Sequence, residues 1–149
     1  MAIAKSKRLA VVARLAGLRE QQQLVRLQKS QATLAQNRIS LERLTTYQSE
    51  YANGVGVGQS SVAVNDLQNF SRFMNDLSYA TNLQQQHLDQ ASDHCQIENT
   101  RWLELHARQR RLQELAEESR RAELHDEEVT ADRENDDRWN ALHQTLRPR

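Results

Sequence analysis

Few residues in this chain have the types and spacing for chemistry. Cys95 is the lone cysteine among 149 residues, His94 precedes it, and His87 lies two helical turns earlier. A thiol beside an imidazole suggests a nucleophile and its base, and two histidines with a cysteine have the character of metal ligands. Adjacent residues on a helix point about 100° apart, so His94 and Cys95 do not make a working pair as placed. Cys95 reads instead as a small residue in a helical seam, and the histidines as solvated. Gly54, Gly56 and Gly58 lack the Lys-Ser/Thr and the preceding strand of a phosphate loop. The carboxylates between Glu114 and Asp137 outnumber any acid and base pair and have no concavity to work in. No catalytic residue, metal site or cofactor is expected, and the chain reads as a non-enzyme.

Two non-catalytic features stand out. The first is charge. The 20 basic and 20 acidic residues cancel, yet residues 1–45 carry nine Lys/Arg against two Asp/Glu. Residues 46–96 carry one against five and residues 97–149 ten against thirteen, so a basic first third is followed by a mildly acidic remainder. The basic set is Lys5, Lys7, Arg8, Arg14, Arg19, Arg26, Lys29, Arg38 and Arg43. Such charge suffices for phosphate contacts. It is spread over 39 positions with no interleaved aromatics and no reading motif, so a solvated face or one complementary to an acidic protein fits better than specific nucleic-acid recognition.

The second feature is an aromatic cluster. Tyr47, Tyr51, Phe70, Phe73 and Tyr79 are five of the seven aromatics and lie within 33 residues. They flank Asn53-Gly54-Val55-Gly56-Val57-Gly58-Gln59-Ser60-Ser61, which holds three of the four glycines and forms the one internal break, the only proline being Pro148. Leu41, Leu44, Tyr47 and Tyr51 before it, and Leu67, Phe70, Phe73, Met74 and Leu77 after it, keep the three-and-four spacing of one helical face. A link this short returns the second helix antiparallel to the first. Leu44, Tyr51, Phe70 and Leu77 then fill the seam, while Tyr47, Phe73 and Ala80 point off it as a docking patch or as flanking residues that broaden it.

These elements define an all-α chain, a long two-helix antiparallel coiled-coil hairpin with the C-terminal helix overhanging. Alanine, leucine, glutamine, glutamate and arginine dominate, with 5% aromatics and a mean hydropathy of −0.85, a composition for long helices that each bury one stripe. One hairpin is predicted over residues 1–149, with helix one about 5–52, the turn 53–61 and helix two about 62–143. Leu27, Leu34 and Leu41 keep a seven-residue interval, with Leu44 and Tyr51 three residues on. The matching middle positions Gln23, Ser30 and Asn37 are polar, and Leu9, Val12, Leu15 and Leu18 follow a separate, drifting stripe. Ser60, Ser61 and Asn65 are candidate caps for helix two, with Asp66 suited to its first turn.

From Leu67 a firmer heptad runs. Leu67, Met74, Thr81, Leu88, Cys95, Trp102 and Gln109 take one position, and Phe70, Leu77, Gln84, Ala91, Glu98, Leu105 and Leu112 the other. Beyond Leu112 the stripe thins to Leu115, Ala116, Leu124 and Val129. At about 1.5 Å per residue the helices reach roughly 70 Å and 115 Å, which sets Lys5 near residue 110 and leaves everything after about Leu112 overhanging. One cysteine gives no internal disulfide and suits a reducing cytoplasm. The N-terminus lacks a signal-peptide core, and no run approaches the roughly 20 apolar residues of a membrane span.

The layout resembles a known family. A basic N-terminal helix ending in Leu44-Thr-Thr-Tyr47-Gln-Ser-Glu50-Tyr51, a short glycine-containing turn, and Leu67-Gln-Asn-Phe70-Ser-Arg-Phe73-Met-Asn-Asp-Leu77-Ser-Tyr-Ala80 ahead of a Gln-rich helix are together similar to the flagellar export protein FliJ family. The resemblance implies a hairpin shaped like the rotary stalk of F-type ATP synthase, a component of the bacterial flagellar type III export apparatus. Its open end would enter the ring of the export ATPase, and its turn end would face the cytoplasmic domain of the membrane export gate. The family also serves as a general export chaperone and meets export chaperones, in the cytoplasm and peripherally at the inner membrane. Carried over by position, Leu44, Tyr47, Tyr51, Phe73, Leu77 and Ala80 would form the gate-docking face. For the ATPase ring the basic segment Lys5, Lys7, Arg8 and Arg14 is named. The alternatives are the stalk of a virulence-type III secretion system, or a self-associating coiled coil that binds nucleic acid or anionic surfaces through helix one.

Overall fold

The structure, a computed structural model, describes residues 3–56 and 64–147. Two helices account for nearly all of it, α1 (Lys5–Gly56) and α2 (Val64–Thr145), and no strand occurs among the described residues. They pack against each other as a helical hairpin. The chain divides into two compact units, one of residues 22–103 and the other of residues 1–21 with 104–149.

In the unit of residues 22–103, hydrogen bonds join Gln23 to Glu98, Asn37 to Gln84 and Gln48 to Ser78, and the Tyr51 ring meets Phe73. Partners fall along α2 as they rise along α1, so the strands of the seam are antiparallel. On α1 the covered line runs Gln23, Leu27, Ser30, Leu34, Asn37, Leu41, Leu44 and Gln48, an unbroken alternation of three and four, with Leu24 half-covered beside it. On α2 they include Phe70, Met74, Leu77, Thr81, Gln84, Leu88, Ala91, Cys95, Glu98 and Trp102, the heptad read from the sequence. Leu67, its first member, is 48% exposed. Thr33, Thr45, Thr81 and Thr100 return their hydroxyls to the carbonyl four residues back, which satisfies them inside the helix.

In the other unit the same alternation continues on α1 through Glu20, Ala16, Ala13, Leu9 and Ser6. Ala13 and Ala16 are buried at 8% and 7%, while Val12, Leu15 and Leu18 are 43%, 55% and 56% exposed. The drifting stripe expected at this end is therefore not the seam, apart from Leu9. Small side chains hold the contact line here and large ones lie off it. On α2 the covered line runs Leu105, Gln109, Leu112, Ala116, Ser119 and Glu123, and every described residue from Leu124 on is exposed.

Pairing thus reaches Glu123, about eleven residues further than the sequence predicted, and the overhang is 124–147. The expectation placed the helices symmetrically about the glycines. Instead Tyr51 sits against Phe73, so α2 has run nearly three turns before the aromatic rings meet, and every later partner is displaced the same way. α1 also continues through Gly54 to Gly56, past the predicted end at 52. A helix already held by its seam can carry a glycine or two in its last turn, at about 1 kcal/mol each relative to alanine. Asn65 is the second residue of α2 rather than its cap, and Asp66 lies in the first turn as expected. The remainder of the predicted turn and the candidate caps Ser60 and Ser61 lie outside the described residues.

Candidate protein-docking site

Within the unit of residues 22–103, seam geometry positions the predicted gate-docking residues. Leu44 and Leu77 occupy inward positions and are half-buried. Tyr47, Phe73 and Ala80 sit one place before an inward position, on the flank of the seam, which exposes Tyr47 to 52% and Phe73 to 43%, with Ala80 half-covered. Tyr51, expected inside the seam, is 48% exposed. Its ring leans on Phe73 across the pair, with centroids 4.8 Å apart and planes tilted by 60°. The structure therefore joins Tyr51 to Phe73 directly and leaves Tyr47 exposed one turn earlier on the same helix. Tyr79, grouped with them in sequence, is 72% exposed on the outward side of α2.

The basic residues Lys5, Lys7, Arg8 and Arg14 belong to the other unit, and all four are exposed. Glu123 of α2 meets this N-terminus. Its carboxylate accepts from the Ser6 amide at 3.0 Å and from the Ser6 hydroxyl at 2.5 Å. One of the amides left unpaired at the start of α1 is thereby satisfied by a carboxylate, the charge that a helix N-terminus favours. Those two bonds, with the nearby Lys7 ammonium, hold the Glu123 carboxyl below the usual glutamate value.

Sequence reasoning passed over what the polar seam positions do. Gln23 Nε2 donates to Glu98 Oε2 at 2.5 Å and to the Glu98 carbonyl at 3.1 Å, with both residues buried. Arg101 Nη1 lies 3.1 Å from the other carboxylate oxygen. Gln84 Nε2 donates to Asn37 Oδ1 at 2.9 Å. In the other unit, His106 Nδ1 lies 2.6 Å from Glu20 Oε1. Of the polar interruptions of helix one, Gln23 and Asn37 are thus matched by polar groups of α2, a complementarity that periodicity within either helix does not reveal, while Ser30 donates its hydroxyl to the Leu27 carbonyl of its own helix. Cys95 is half-buried in the seam, whereas His87 and His94 are exposed. Among the described residues no three His, Cys, Asp or Glu side chains gather as a metal ligand set, and no helix is long and apolar enough to cross a membrane.

Paired helices with polar seam contacts, a narrow apolar stripe and exposed aromatics on one flank define a coiled-coil hairpin with a candidate protein-docking face. The model of the flagellar FliJ protein family matches residues 5–147, and the chain belongs to that family. It is accordingly a flagellar export-related protein, of a family that is a non-enzymatic component of export. Among curated proteins and among solved structures nothing matches.

Proposed function

We propose that this protein is the coiled-coil stalk and general chaperone that links the flagellar export ATPase ring to the cytoplasmic domain of the membrane export gate, and so supports motility. The observation that carries this reading is the half-exposed set Tyr47, Tyr51 and Phe73, held on one flank of the seam. Large aromatics left in water on a rigid helical scaffold are the side chains that supply most binding energy when a partner covers them. Leu44 and Leu77 support them from the seam side, and Ala80 extends the face along α2. At the other unit, exposed Lys5, Lys7, Arg8 and Arg14 offer a cationic surface for the ATPase ring. The site of action is cytoplasmic, peripheral to the inner membrane at the flagellar base, where export chaperones are also met.

The test is a pull-down of the purified chain with the export ATPase and with the cytoplasmic domain of the export gate, alongside the Tyr47→Ala/Phe73→Ala double variant. Wild type retains both partners and the variant loses the gate alone, with helicity by circular dichroism unchanged and swimming in soft agar reduced. Equal gate binding by both chains, or full motility of the variant, would remove the aromatic face from the mechanism.

A further inference from the structure

The unit of residues 1–21 and 104–149 holds two unpartnered surfaces of opposite character. One is a groove beside the seam, lined by Val12, Leu15, Ala16 and Arg19 of α1 and by Leu105, Arg108 and Leu112 of α2. Its floor is apolar and each wall carries an arginine. The other is the overhang, which exposes Trp139, Leu142 and Leu146 to 60%, 60% and 75% at positions three and four apart, so they share one helical face. The Trp139 ring stacks on His143 at 3.8 Å, which lays it along its own helix rather than into a core.

Charge divides the same way. The paired part, residues 3–21 with 104–123, carries ten Lys/Arg against six Asp/Glu, net +4; the overhang 124–147 carries three against seven, net −4. The overhang cannot reach the groove of its own chain, because α2 is one continuous helix from Val64 to Thr145 and runs on past it. A second copy can.

We infer that two copies of this chain associate with each overhang seated in the other's arginine-walled groove. A twofold axis near Glu123, where intramolecular pairing stops, sets each overhang residue opposite one as far before Glu123 as it lies beyond. Trp139 then falls opposite position 107, between Leu105 and Arg108, and Leu142 opposite position 104. The contact is the same patch on both copies, so the assembly closes at two. It covers the apolar stripe that one chain leaves in water, and opposite charge at the rim sets orientation and speeds encounter.

Sedimentation equilibrium of the full chain tests this from about 1 to 100 µM, at about 50 mM and about 500 mM salt. The expected result is a monomer–dimer equilibrium that weakens at least about tenfold at the higher salt. Arg19→Glu/Arg108→Glu in the groove, and separately Asp136→Lys/Asp137→Lys in the overhang, weaken it about as much, and the two pairs combined in one chain recover most of the loss. Trp139→Ala, which alters no charge and no seam contact, weakens it as well and decides the matter if a reversal variant loses helicity. A monomer at every concentration in low salt would overturn the proposal and leave the groove to an acidic helix of another protein. A dimer indifferent to the groove and overhang variants would overturn it equally, since the copies would then meet elsewhere.

Discussion

Gly17 illustrates how little room a single residue needs to alter this chain. It lies inside α1 with helical backbone, and a Cβ built there would come no closer than 3.9 Å, to Cγ of Gln109. That is ordinary van der Waals contact, so the entropy glycine loses on ordering is uncompensated by any packing need. Gly17→Ala is expected to stabilise by about 0.5 to 1 kcal/mol, read from urea unfolding followed by circular dichroism. The buried Gln23 and Glu98 pair behaves differently. Gln23→Ala leaves the Glu98 carboxylate without its 2.5 Å donor and should destabilise by about 1–3 kcal/mol. Replacing both residues with leucine removes the polar demand altogether and should come close to wild type in stability. The cost then appears in specificity, since a buried polar pair is what penalises a slipped register. Cysteine cross-links at alternative registers would form in the double leucine variant and not in wild type.

At the scale of the helix, the contrast between the two N-termini is informative. α2 opens with Asp66 in its first turn, whereas α1 has no acidic residue in its first turn and carries Lys5, Lys7 and Arg8 there, charges of the wrong sign for a helix start. Glu123 corrects this from the neighbouring helix through Ser6. Because the folded carboxyl titrates lower than the unfolded one, its contribution is present above the ordinary value of 4.5 and lost as pH falls through the lower folded value. Acidification through the lowered value of this carboxyl should therefore fray the start of α1 before the rest of the pair. Faster amide exchange at Ser6 than at Leu27 under those conditions would show it. Glu123→Gln should bring that fast exchange to neutral pH, and if Ser6 exchange proved independent of pH and of Glu123, the cap would have no role in holding the helix end.

For the molecule as a whole, no large side chain among the described residues is fully buried, so stability comes from a stripe one or two residues wide rather than from a core. Among the described residues the overhang has no stripe partner in its own chain, so it depends on helix propensity, which alone leaves helices marginal. Amides of 124–147 should exchange far faster than those at Leu27 or Leu88 in dilute, high-salt solution, and slow on raising the concentration at low salt as copies pair. Uniform protection along α2 at every concentration would contradict both the unsupported overhang and its capture by a second chain. Exposed aromatics in one unit and a charged, open-ended helix pair in the other suit a protein that spends its surface on partners.

The helical class, the antiparallel return and the α2 heptad from Phe70 to Leu112 were legible in the chain, because a 3.5-residue repeat is a local property that needs no knowledge of the partner helix. The flanking positions of Tyr47 and Phe73 follow from the same repeat. Register was not legible. It depends on which residue of one helix meets which of the other, and Tyr51 against Phe73, Gln23 against Glu98 and Ser6 against Glu123 are choices made between helices. Hydrophobicity misled at the start of α1, where Val12, Leu15 and Leu18 outweigh Ala13 and Ala16 on any scale of side-chain size. Packing reversed that order, since the helices meet on the alanines and leave the larger residues outside. The extent of the overhang follows from the same register, which is why the unequal helix lengths pointed to an overhang while the contacts between the helices set where it begins.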